Sequence, residues 1–229
     1  MRSRAGLILT LLREGRDPAQ LTLKLALREV LRGCESVLDV GCGASLTMRQ
    51  LGVAHTTGIE GYEPAFDQAK LRRTHDQLVL GDVCNLAAYF QARQFDACVA
   101  LDVIEHQTKA DGLRLMEQME LIAARRVVFF TPNGFLPQGH RTPDDRLAHL
   151  SGWEPAEMER CGYRVIGFLG PKKLRGQRHV LNRRPALFWG MVSLAGHFLW
   201  TRRHAAQAAA LLCYKTVGSG QLEPKAPGS

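Results

Sequence analysis

Cysteine pairs at metal-binding or redox spacing are missing from this chain. Its six cysteines, at 34, 42, 84, 98, 161 and 213, include no Cys-x-x-Cys and mostly fall inside apolar or turn segments. That leaves no cysteine framework for a zinc ribbon or a dithiol centre, and the expectation is reduced thiols in a cytoplasmic protein. Aromatic residues are scarce at 7% of the sequence. Few of them are placed to stack bases, and no RNA-binding module is recognisable. Long apolar runs are absent as well. The patch from Leu7 to Leu12 is broken by Arg13, Glu14 and Arg16 before it reaches signal-peptide length. The run from Pro185 to Trp200 contains His197 and falls short of the roughly 20 residues a spanning helix needs.

What remains is an ordinary globular composition over 229 residues, enough for one well-buried α/β domain. A formal net charge of +8 favours anionic partners such as nucleic acid, phosphorylated substrates or an anionic membrane face, and a basic non-binding surface fits it equally.

The chain is organised around Val37-Leu38-Asp39-Val40-Gly41-Cys42-Gly43-Ala44-Ser45, an apolar strand running into a tight turn. Gly41 and Gly43 let a backbone approach a ligand more closely than side chains permit. Downstream, segments 54–60, 77–81, 95–101 and 125–131 read as strands, alternating with helices near 46–52, 63–73, 85–91 and 109–123. Helix 154–161 and strand 163–170 follow. Such alternation implies a parallel sheet with helices on both faces and all strand ends along one edge. Glu60 and Asp82 each close a strand on an acid, and no third glycine stands at dinucleotide spacing, which counts against NAD.

These residues, with Phe95 to His106 and Val127 to Asn133, resemble the class I S-adenosylmethionine-dependent methyltransferases over about residues 34 to 170, with a last strand near 211 to 217. The resemblance implies a seven-stranded, mostly parallel Rossmann-like sheet whose last strand is antiparallel. It implies S-adenosylmethionine as cofactor, with Gly41 and Gly43 against the methionine part, Glu60 on the ribose hydroxyls and Asp82 on the adenine amino group. Asp39 would support the turn and the donor's ammonium, or serve structurally by satisfying turn N–H groups.

The stretch Asp102-Val103-Ile104-Glu105-His106 closes the fourth strand beside the expected methyl group. Two acids and an imidazole there suit either a general base, His106 or Glu105, or ligands for Mg²⁺ or another divalent ion. Similar stretches occur in ubiquinone-pathway O-methyltransferases and in small-RNA 3′-terminal 2′-O-methyltransferases. In the latter a later histidine completes a metal site, and here His149, four residues before Trp153, stands in that role. Asp102 stands where those branches carry Glu. The resemblance also implies a place for Asp102 among the cofactor-binding residues.

The organisation expected is an N-terminal helical arm (1–33), a cofactor-binding core (34–170), a basic and apolar insert (171–210), a closing strand (211–217) and a disordered tail (218–229). Residues 135–152 form a polar loop with His140 and Arg141 as weaker candidates. Segment 185–200, framed by cations, suits an interfacial helix on a membrane surface, a pocket cap or a homodimer face. The leading expectation is O-methylation of a small-molecule or lipid-linked acceptor, by a protein in the cytoplasm or peripheral on the membrane. A metal-dependent RNA 2′-O-methyltransferase, using residues 172–184 on phosphates, and a non-catalytic cofactor-binding partner subunit are the alternatives.

Overall fold

A computed structural model describes residues 18–137, 148–175, 181 and 183–218. The N-terminal arm before Pro18, the tail from 219, and His140 and Arg141 lie outside the described residues. The strands are β1 (Ser36–Val40), β2 (His55–Glu60), β3 (Gln77–Leu80), β4 (Phe95–Leu101), β5 (Ala123–Pro132), β6 (Arg164–Pro171) and β7 (Ala208–Thr216). The helices are α1 (Pro18–Val30), α2 (Thr47–Leu51), α3 (Glu63–Arg72), α4 (Lys109–Ile122), α5 (Pro155–Arg160) and α6 (Ala186–Gly196). The seven strands form one sheet in the order β3-β2-β1-β4-β5-β7-β6. β1 pairs in parallel with both β2 and β4, while β7 runs antiparallel to β5 and β6. This is the mostly parallel, Rossmann-like architecture expected.

Side chains alternate across the sheet with period two, which splits the core into two layers. Leu38, Val40, Cys98, Ala100, Val127 and Phe129 face one layer; Val37, Ala97, Val99, Val128 and Phe130 face the other. Both layers are covered, so the central strands read as continuous apolar runs. Helix α4 covers the first layer with Leu115, Met116, Met119 and Ile122. Its start is capped by Thr108, whose hydroxyl accepts from the Asp111 N–H at 3.2 Å. Leu27 and Leu31 at α1, with Met48 and Leu51 of α2, cover the other layer.

Three expectations need correction. Leu113, whose apolarity alone would place it with Leu115, Met116, Met119 and Ile122 on the core face of helix 109–123, is 46% exposed, because it lies about 200° around the helix from Leu115. The helix near 85–91 is only a 3₁₀ turn at Leu86–Ala88. The chain leaves it at Tyr89 so that Phe90 enters the core edge-on to Phe95, with ring centroids 5.4 Å apart. The closing strand begins at Ala208 rather than 211: Ala208, paired with Pro171, and Ala210, paired with Pro132 and Phe168, are fully buried.

The end of α6 runs into a π-helical turn at His197–Thr201 and crosses β6 at close range. A Cβ on Gly167 would stand 2.1 Å from the Thr201 carbonyl oxygen, so only glycine lets the two backbones meet. Gly167→Ala is therefore expected to destabilise the fold by about 1–3 kcal/mol. Urea unfolding would read this as a lowered midpoint with an unchanged slope; an unchanged midpoint would contradict the crossing.

Candidate functional site

The strand order reverses at β1: β2 and β3 lie to one side, β4 and β5 to the other. Chain connections therefore part at the carboxyl ends of β1 and β4, where open α/β sheets form a crevice. The turn leaving β1 carries Gly41 at φ 63° and Gly43 at φ 48°. A Cβ on Gly41 would press against Val103 at 2.7 Å, whereas nothing lies within 4 Å of the Cβ position of Gly43. Packing requires glycine at 41, while Gly43 borders open space. Glu60, at the end of β2, accepts from the Gly43 N–H and the Tyr62 N–H, each at 2.8 Å. One carboxylate thus ties the turns after β1 and β2 together, and its oxygens keep further lone pairs for a ligand.

Asp39 is buried, and its Oδ2 lies 3.1 Å from His75 Nε2. His75 Nδ1 is 2.9 Å from the Thr74 hydroxyl. Burial pushes the Asp39 carboxyl up, against the lowering effect of His75. Its partner is thus a histidine at the start of the next crossover's strand, not the turn N–H groups. Sequence reasoning misses His75, which belongs to no motif and meets Asp39 only across the sheet. Asp82 shapes its own turn: Oδ1 accepts from the Cys84 N–H at 2.9 Å. Tyr89, also missed, accepts from the Asp82 N–H at 3.2 Å. Its ring covers Gly81, where a Cβ would stand 2.6 Å from the ring.

The end of β4 carries the densest polar cluster. Asp102 adopts φ 55° and is exposed, and its N–H donates to the Phe130 carbonyl at 2.8 Å. The chain then makes a 3₁₀ turn at Ile104–His106. Glu105 turns inward and is buried, and its Oε2 accepts from the Thr131 hydroxyl at 3.0 Å. Burial first, then the negative charge of Asp102, pushes the Glu105 carboxyl up to about 8.

Segment 148–153 is pinned onto this turn. The Leu150 and Ser151 N–H groups donate to the Glu105 carbonyl at 2.8 and 3.1 Å. Trp153, fully buried, donates from Nε1 to the Ser151 hydroxyl at 3.0 Å. Gly112 of α4 leaves the space for its ring, since a Cβ there would stand 2.5 Å from it. This wedge brings His149 to His106, ring centroids 4.9 Å apart.

Both imidazoles are oriented from behind. His106 Nδ1 meets the Ala148 carbonyl at 3.1 Å and His149 Nδ1 meets the Leu136 carbonyl at 2.7 Å. A carbonyl only accepts, so each Nδ1 carries a proton, and in the neutral ring Nε2 is the nitrogen left as acceptor. Glu105, His106 and His149 offer ligand atoms that all lie within 4.8 Å of one another. Asp102 falls outside that group, so three of the four residues expected around a metal come together.

A cavity of about 710 Å³ opens beside the cluster, with Gly61, Gly81, Asp82, His106 and Leu150 in its wall. Thus Asp82, two residues past β3, and the imidazole that follows β4, 24 positions apart in the chain, face one space.

Residues 38–126 match the family model described as a methyltransferase domain. Among proteins of curated function, none matches the sequence. Three solved structures share the fold. One is the complex of the Haloferax volcanii Trm112 methyltransferase activator with a putative methyltransferase (TM-score 0.59, 16% identity, 95% of this chain and 96% of that one). Another is a SAM-dependent methyltransferase from Archaeoglobus fulgidus (0.54, 16%, 85% and 93%). The third is the methyltransferase domain of bacterial CtHen1-C (0.53, 16%, 86% and 97%). The chain therefore has the Rossmann-like fold of these structures, and its residues 38–126 match a methyltransferase-domain model.

The buried Glu105 sets a stability dependence on pH. Its carboxyl titrates near 8 when folded against 4.5 ordinarily, so the folded protein holds a proton that the unfolded chain releases. The Glu105 contribution to stability is full below about 4.5 and is lost as pH rises from there through about 8, by on the order of a few kcal/mol. Denaturant melts at pH 5 and pH 8 should show that loss in the wild type and a flatter profile in Glu105→Gln. Equal pH dependence in the two proteins would contradict the assignment.

Proposed function

We propose that the chain is an S-adenosylmethionine-dependent methyltransferase acting on an oxygen of a small-molecule or lipid-linked acceptor. The observation that carries this reading is the shared cavity, in which Asp82 and His106 face the same space. The open position over Gly43 fits the cofactor, since a backbone without Cβ can lie against it. When bound, the cofactor supplies a methyl group already activated on a cationic sulfonium, which leaves the protein to align the acceptor and manage its proton.

In this reading Gly41 shapes the turn, Gly43 offers its surface, Glu60 accepts from the ribose hydroxyls and Asp82 from the adenine amino group. Asp39 acts through the turn, held by His75, rather than by touching the donor. His106 Nε2 takes the acceptor's proton, and the Ala148 carbonyl fixes the tautomer that makes this feasible. Glu105 is no free base here. With its carboxyl raised to about 8 it holds its own proton at neutral pH and positions the turn. Exposed Leu80 and Leu150 in the cavity wall favour an acceptor with an apolar body.

An alternative reading rests on the Glu105, His106 and His149 group. Two imidazole nitrogens and one carboxylate, each imidazole held by a backbone carbonyl, suit a borderline transition-metal ion better than Mg²⁺, which prefers oxygen ligands. A bound divalent ion would offset the cost of ionising buried Glu105 and would act as a Lewis acid on a hydroxyl acceptor. Within the basic stretch, Lys172 donates to the Asn133 carbonyl and buried Arg175 donates to the Leu169 carbonyl at 2.7 Å, while Lys173, Arg183 and Arg184 are exposed and would be the ones to meet the phosphates of an RNA acceptor.

The direct test is transfer of labelled methyl from S-adenosylmethionine into a cell extract, separated into lipid, small-molecule and RNA fractions, with and without a chelator. Chelator-resistant label in lipid or small molecules is the expected outcome. Chelator-sensitive label in RNA would overturn both the acceptor and the metal-free mechanism, and no label in any fraction would overturn the activity. Glu60→Ala and Asp82→Ala should each weaken S-adenosylhomocysteine binding roughly tenfold to a hundredfold by calorimetry, the loss of a hydrogen bond to a charged group. His106→Ala should leave that affinity intact and lower turnover about a hundredfold; unchanged turnover would remove it from the mechanism.

A further inference from the structure

Helix α6 and the turn that extends it are built inside out. The residues directed into the protein are small or polar: Gly190, Ser193, His197 and Thr201 are buried. The outward stripe is apolar: Phe188 (53% exposed), Met191 (57%), Phe198 (53%), Leu199 (82%) and Trp200 (48%). The spacing 188, 191, 195, 198 follows one helical face, and the same face continues to Leu199. A water-facing helix should show the reverse pattern.

The helix cannot rotate to hide that stripe. The Ser193 hydroxyl donates to the Leu169 carbonyl at 2.8 Å and accepts from buried Arg175. Gly170, at φ 71°, lets the Ser193 carbonyl approach so closely that a Cβ would stand 2.3 Å from it. Turning the helix would break these contacts and leave the buried Arg175 and the Leu169 carbonyl without the Ser193 hydroxyl.

Charge surrounds the stripe with one sign. Arg183 and Arg184 precede it, Arg202 and Arg203 follow it, and all are exposed. No Asp or Glu occurs between Glu159 and Glu223. We propose that this face docks in the plane of an anionic lipid surface, with the apolar stripe in the acyl boundary and the flanking arginines on the headgroups. Trp200, whose indole N–H donates to Gln207 at 2.7 Å, fits that boundary as an amphipathic ring. Another copy of the chain is the poorer partner, since a two-fold contact would set these cations against themselves. No helix among the described residues is long and apolar enough to cross a membrane, so the mode is lying on the surface rather than spanning it.

The proposal stands apart from the methyl-transfer reading, and its readout is binding rather than activity. The full chain is floated with vesicles of phosphatidylcholine alone and of phosphatidylcholine mixed with phosphatidylglycerol, at low and high salt. It should rise with the mixed vesicles, more weakly at high salt, and much less with the neutral ones. Leu199→Glu, at a site with no packing role, should reduce partitioning at least tenfold with an unchanged Tm. Arg202→Glu with Arg203→Glu should remove the preference for anionic vesicles, each charge near the surface carrying roughly a fivefold effect. Absence of wild-type flotation, or flotation of Leu199→Glu equal to wild type, would overturn the proposal. A concentration-dependent dimer that Leu199→Glu dissociates, with no vesicle binding, would overturn it in favour of contact between copies.

Discussion

The in-register parallel pairing of β1 with β2 on one side and β4 on the other is the constraint on which the rest of the molecule depends. With β1 central, chain connections must leave in opposite directions, and the carboxyl ends of β1, β2, β3 and β4 come to one edge. Gly43, Glu60, Asp82 and Asp102 meet there for no reason local to any of them. A one-residue slip of β1 would exchange Val37 with Leu38 between the core layers, and would dismantle the core and the edge together.

Polar burial then sharpens that edge. Asp39 with His75, and Glu105 with Thr131, are acids held out of water with few partners. Such groups are expensive to bury unpaired, and their upward-shifted carboxyls reflect that cost. The Asp39 pair stiffens the strand that feeds the glycine turn. The Glu105 backbone carbonyl, by accepting from Leu150 and Ser151, holds His149 next to His106. The site is thus assembled by main-chain bonds and one tryptophan wedge around these buried acids.

The strands are legible in the sequence because buried parallel strands write themselves as unbroken apolar runs, and because acids closing β2 and β3 stand out against them. The His149-to-Trp153 spacing is legible for the same kind of reason: both residues are large and specific in role. Ala208 to Ala210 carry no such signal, being too small to mark a strand by pattern, so pattern alone starts β7 late. Leu113 misleads because apolarity alone does not give angular position on a helix. The Asp39–His75 and Glu105–Thr131 contacts join residues 36 and 26 positions apart, and only the folded sheet brings them together. The apolar run after Pro185 is plain, but its orientation is not. That depends on Gly167, Gly170 and Ser193, which fix the inward face by contacts that the run's own pattern does not contain.

The measurement that tests the account most directly is a crystal structure of the protein grown with S-adenosylhomocysteine. The account predicts density along the β1–β4 edge, with the backbone of Gly43 against the ligand, Glu60 on the ribose, Asp82 near the adenine, and the sulfur turned toward His106. Density elsewhere, or an empty edge at saturating ligand, would contradict it.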